Sequence, residues 1–130
     1  MVASDSFSQF LREQLAPFGA VAFRRMFGKT GVFCEGLMFG VVADDALYFR
    51  VDAQNRATLS EAEAYPPLNY RKKGETIDLA FWRAPERLFD EPDELIAWAR
   101  AALEAARRVA GKRERAGPSA RRSRTTLRRA

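Results

Sequence analysis

A chain of 130 residues suffices for one domain and not for two. Hydrophobic residues make up 47% of it, with ten phenylalanines, which supplies a core and excludes global disorder. The net charge of +5 is unevenly held: residues 111–130 carry eight Lys/Arg against one acid, whereas residues 1–110 carry fourteen basic and sixteen acidic residues, a net of −2.

The first predicted element is a helix over Ser4–Leu15, where Phe7, Phe10, Leu11 and Leu15 recur on one face. Ser4 or Ser6 is the expected cap, and Gly19 follows Pro17 as an exit turn. From Val21 the apolar period shortens to two. Strands are expected at Val21–Phe27, Thr30–Cys34, Leu37–Ala43 and Ala46–Val51, separated by Gly28 and by turns at Glu35-Gly36 and Asp44-Asp45. Leu37–Ala43 is nearly all apolar, which suits a strand covered on both faces. In the last strand Leu47, Phe49 and Val51 point one way and Tyr48 and Arg50 the other.

Asp52 is expected to cap a surface helix running to about Ala64, anchored by Leu59 and ended by Pro66-Pro67. Asn69–Lys73 and Glu75–Arg83 then form a hairpin about Lys73-Gly74, with Ile77, Leu79 and Phe81 on its inner face. A connector or a single helical turn over Pro85–Phe89 leads to a final helix from Pro92. Asp90, Glu91, Asp93 and Glu94 complement its N-terminal dipole, and Leu95, Trp98, Ala99, Ala102, Leu103 and Ala106 form its stripe. Order is expected to end near Gly111. The fold class is α+β, in the order α-ββββ-α-ββ-α, with about six antiparallel strands and helices packed on them. The domain occupies residues 1–110, and 111–130 form a basic, disordered tail.

The chemistry is defined by what is missing. There is no histidine and one cysteine, Cys34, so a zinc site, a Cys–His pair and an intramolecular disulfide are excluded. Gly28-Lys29-Thr30 echoes the end of a phosphate loop, but the leading glycine would fall at Phe23, and the loop joins two strands. The paired acids all have local duties in turns or caps. No catalytic residue, cofactor or metal is expected. No apolar run approaches the roughly 18 residues that span a bilayer, and Asp5, Arg12 and Glu13 interrupt the N-terminus, so a cytoplasmic protein is the expectation.

Three features remain as candidate contacts. Arg24 and Arg25 stand beside Met26 and Phe27, and could hold a phosphate or a carboxylate-bearing partner; an ordinary solvated strand face is the better explanation of these residues by themselves. Arg71, Lys72 and Lys73 sit at a hairpin tip with Tyr65, Tyr70 and Trp82 near in sequence. That tip could touch a nucleic-acid backbone, or its lysines could simply guard a strand edge. The tail, with Arg121, Arg122 and Arg124, could bind polyanions or only solubilise the chain.

Arg24-Arg25-Met26-Phe27-Gly28, Gly31-Val32-Phe33, Gly36-Leu37-Met38-Phe39, Leu47 to Asp52, Tyr70 to Gly74, and Pro92 to Leu95 with Trp98-Ala99 occur in an order that resembles the TfoX/Sxy N-terminal domain family. The resemblance runs from about residue 8 to 108. It implies an α+β domain with an antiparallel sheet, similar to a secretion-chaperone-like fold. It also implies a non-enzymatic role: named members regulate natural competence, acting with a cyclic-AMP receptor protein at promoters, and full-length regulators carry a second, helical domain. The leading expectation is a regulatory or adaptor domain that binds a protein partner in a transcription complex. Direct nucleic-acid binding through the tail and Arg71–Lys73 is the alternative. A homodimer through an exposed strand edge is a further option.

Overall fold

A computed structural model gives the structure of residues 5–26 and 28–122. Helix α1 (Asp5–Gln14) is followed by strands β1 (Ala22–Met26), β2 (Lys29–Cys34), β3 (Leu37–Ala43) and β4 (Ala46–Arg50). A 3₁₀ segment (Ser60–Ala64) leads to β5 (Asn69–Lys72), β6 (Glu75–Asp78) and β7 (Phe81–Arg83). A second 3₁₀ segment (Glu86–Asp90) precedes helix α2 (Pro92–Arg122). The α+β class and the antiparallel sheet agree with the sequence. The strand count does not: there are seven among the described residues, because the chain bends at Leu79–Ala80 and splits the expected Glu75–Arg83 strand in two. The first half pairs with β5 alone. The second joins β4 and closes a five-stranded sheet of order β1-β2-β3-β4-β7.

Three two-residue turns set the register. Glu35 and Gly36, Asp44 and Asp45, and Lys73 and Gly74 all take positive φ, from 51° to 82°. Such paired left-handed residues match the twist of the strands they join. Between β2 and β3 the register shifts after Val32, leaving Phe39 as the extra residue. This bulge flips the alternation of β3, so Phe39 and Val42 both enter the main core while Met38, Val41 and Ala43 face the opposite side. That is how a nearly all-apolar strand serves two cores.

The main core lies between one sheet face and the two helices. Leu11 and Leu15 at α1, Phe39, Leu47 and Phe49 of the sheet, and Leu95, Trp98 and Ala99 of α2 are buried together. The alanines of the α2 stripe let the helix approach β3 and β4 closely. Phe39 sits 5.1 Å from the Phe18 ring and 6.4 Å from Phe49, which in turn lies 6.2 Å from Trp98. The other sheet face has a smaller core of Val41, Ala43, Leu68 and Phe81, under the root of the β5–β6 hairpin.

Three further expectations are corrected. Ser6 lies inside α1 and does not cap it, while Ser4 falls outside the described residues. The surface helix expected from Asp52 to Ala64 is replaced by a series of turns over 53–59 and a 3₁₀ segment. Asp52 still caps the first of these turns: its Oδ1 accepts from the backbone N–H groups of Gln54 and Asn55, both at 3.0 Å. Asn55 folds back on the backbone, accepting from Asp52 N–H and donating to the Arg50 carbonyl, and such local bonds compete with helix formation. Lastly, α2 does not stop at Gly111 but continues to Arg122, so the first part of the expected tail has helical backbone. Within residues 92–112 the burial thins toward the end: Ala106 is the last buried residue of that stretch, and Lys112 is exposed. Residues 123–130 lie outside the described residues.

Candidate partner-binding surface

The sheet face away from the helices holds a groove of about 500 Å³. Its floor is Gly31 of β2, flanked by Met26 of β1 and by Met38 and Val41 of β3. Its far wall is Leu68, Tyr70, Leu79 and Phe81, from the β5–β6 hairpin and its return to the sheet. Lys29 is the one charged residue lining it. Glycine is required at the floor. A Cβ at Gly31 would stand 2.8 Å from Phe33 Cε1, 2.9 Å from Met38 Sδ and 3.2 Å from Met26 Sδ. The two thioethers thus close over a backbone that carries no side chain. Methionine suits such a place, since its unbranched, polarizable chain adapts to irregular apolar partners.

Basic groups border this groove. Arg24 lies with its guanidinium 5.4 Å from the centre of the Phe33 ring, beside the floor. Arg50 stacks 4.6 Å over Phe81 and donates from Nε to the Met38 carbonyl at 3.1 Å. Arg25 is exposed on β1, the edge strand of the sheet. Arg71, Lys72 and Lys73 are exposed at the hairpin that supplies Tyr70, and Arg71 donates to the Gly74 carbonyl at 3.2 Å. Arg24, opposite Gly31 in the ladder, and the Arg71–Lys73 hairpin, far apart in sequence, therefore flank one surface, whereas Arg25, opposite Thr30, lies on the other face of β1. Arg121 and Arg122 fall in the last turn of α2, and Arg124 lies outside the described residues.

Glu75 and Asp78 lie on β6 of the same hairpin and Asp44 near Lys29, but several other acids are held in structural pairings. Arg87 binds Glu61, Glu91 and Glu94 at 2.6–2.8 Å, tying both 3₁₀ segments to the start of α2. Its hydrogen bonds hold the Glu61 and Glu94 carboxyls below their ordinary range and push the guanidinium up. The acids expected only to complement the α2 dipole thus include two ligands of Arg87. Asp52 takes a bidentate pair from Arg108, at 2.6 and 2.9 Å, and this hydrogen bonding draws its pKa down. Cys34 is buried, and that burial, with Glu35 next to it, raises its thiol pKa against the opposing pull of Arg107. Among the described residues no three His, Cys, Asp or Glu side chains are grouped to hold a metal ion. No helix among them is long and apolar enough to cross a membrane.

The sequence reveals the cations around the groove and hides the groove itself. Met26, Gly31 and Met38 read as ordinary strand residues, because the β3 bulge that turns Met38 and Val41 outward leaves no mark in the alternation. Lys29 stands out in the sequence only as part of a false phosphate loop.

The family model for the TfoX N-terminal domain matches residues 13–106. Among curated proteins, Protein Sxy of Escherichia coli (strain K12) is 29% identical over 97 residues. That match covers 73% of this chain and 45% of the relative, so the chain spans less than half of Protein Sxy.

Proposed function

The chain belongs to the TfoX N-terminal domain family, and we propose that it is a non-enzymatic regulatory or adaptor domain that binds a protein partner, within a transcription complex of the kind its family resemblance implies. The observation that supports this reading is the cation-bordered apolar groove on the sheet face. It offers a largely apolar surface for recognition, with one charged residue in its lining. The reading makes residues 1–110 the operative domain and 111–130 an extension of it, in a cytoplasmic protein. An affinity pull-down with the full chain from native lysate tests it. A stoichiometric protein partner is expected, and recovery of none overturns the reading.

The charge of residues 111–130 favours a second reading, direct nucleic-acid binding by the extension together with Arg71, Lys72 and Lys73. Neutralising Z phosphates gives a log–log salt slope of about −0.9Z on duplex DNA. Removing residues 111–130 should flatten that slope; binding unchanged by the truncation removes the extension from the account.

A further inference from the structure

We propose that the groove over Gly31 is the docking site itself, and that its occupant is an amphipathic segment of a protein partner whose apolar side chains are flanked by carboxylates. This rests on the partner-binding reading and adds where the partner sits and what it must look like.

Shape gives the first argument. Met26 and Met38 are only half-buried, and Tyr70 is 41% exposed although it lines the groove. A small apolar molecule would remain partly wet here, whereas enclosed sites cover roughly 70–90% of such ligands. A length of chain laid across the sheet would cover the methionines, Leu79 and the Tyr70 ring together. Flexible thioethers on an exposed concave face are the means by which adaptable surfaces accept an apolar helix face.

Charge gives the second. The groove lining contains Lys29 and no carboxylate. Arg24 and Lys73 have no carboxylate partner among the described residues, Lys72 stands across the ladder from Glu75 without an ion pair, and Arg71 meets only a backbone carbonyl. On the helical side Arg87, Arg107 and Arg108 are saturated by acids, while Arg12 donates to the Val21 carbonyl and stacks on Phe23. Lys29, Arg24 and the Arg71–Lys73 hairpin thus give this apolar surface a cationic border, which matches carboxylates at the ends of an apolar segment. Phosphates would match the charges equally well but not the methionines, leucines and Phe81 between them, since base edges and sugars need polar partners. A second copy of this chain would bring the same positive rim to the interface.

The test uses the full chain with its methionine ε-methyl groups labelled with carbon-13, because Met26 and Met38 both line the groove. The probe is a peptide of about four helical turns with Leu at i, i+3, i+4 and i+7 and Glu on its flanks. Its companions are the same peptide with Lys flanks and a duplex DNA of about two turns. The expected result is saturable movement of both the Met26 and Met38 signals with the Glu-flanked peptide. Lys29→Glu should weaken that binding roughly tenfold, as loss and reversal of a rim charge does. Met26→Asp, on an edge strand, is a second variant that should abolish the remaining shift at Met38. Four outcomes overturn the proposal: no methionine shift, equal binding of the Lys-flanked peptide, shifts with DNA alone, or shifts that track protein concentration without peptide. A natural partner captured equally by wild type and by Met26→Asp would also overturn it while leaving the partner reading intact.

Discussion

Asn55 carries more of the fold than its place in a surface loop suggests. It is 4% exposed. Its Oδ1 accepts from Asp52 N–H at 2.7 Å, and its Nδ2 donates to the carbonyls of Arg50 at 3.0 Å and Ala101 at 3.1 Å. One amide therefore ties the end of β4, the following turn and the middle of α2. Asn55→Ala removes three hydrogen bonds. Ala101 keeps its place in the helix ladder, so two groups are orphaned outright. At about 1–2 kcal/mol for each orphaned group, the loss is about 2–4 kcal/mol. Asn55→Asp preserves the shape and the acceptor but sets a carboxylate oxygen against two carbonyls, so it should cost at least as much as alanine. Urea denaturation measures both, as a fall in midpoint at constant m-value. A loss below about 0.5 kcal/mol for Asn55→Ala, or an Asn55→Asp variant more stable than Asn55→Ala, would refute the reasoning.

Acid should act through the carboxylates whose pKa values the fold lowers. Asp52, Glu61 and Glu94 lie below their ordinary values of 3.8, 4.5 and 4.5 in the folded state. The unfolded chain then binds more protons, so their stabilisation is complete above about pH 4.5 and is lost as pH falls through the lowered values. Thermal melts across this range should show it, and Asp52→Asn should flatten the dependence. Arg87→Met should lower the melting temperature at low salt by more than it does near 1 M salt, because the three carboxylates around Arg87 are accessible to screening. A salt-independent loss would mean that packing of the side-chain stem carries the effect. Phe39→Ala should cost about 3–5 kcal/mol, since the ring is fully buried against Phe18 and Phe49; circular dichroism under urea reads it.

Much of the scaffold is legible from period and punctuation. The strands between Ala22 and Arg50 lie where alternation places them, and the turns at Glu35, Asp44 and Lys73 fall at the expected residues. The α2 stripe from Leu95 to Ala106 is buried as its spacing requires. Long-range pairings are not legible. Nothing local in Glu75–Arg83 says that its second half will leave β5 to pair with β4, because that choice depends on Phe81 finding Val41 and Leu68. Asp52 reads as an N-cap, and it is one, but its pairing with Arg108, 56 residues away, exists only in three dimensions. For the surface, charge shows in the sequence and concavity does not. Arg24 and Arg71 can be picked out as cations, whereas the groove between their strands requires the bulge at Phe39 and a glycine floor at position 31.

The claim that this domain works by binding a protein is tested most directly by affinity capture of the full chain from native lysate under nuclease treatment, run beside Met26→Asp. The account predicts a stoichiometric protein that survives the nuclease and is lost from the variant. Capture of nothing, or only of material that nuclease releases, would contradict it.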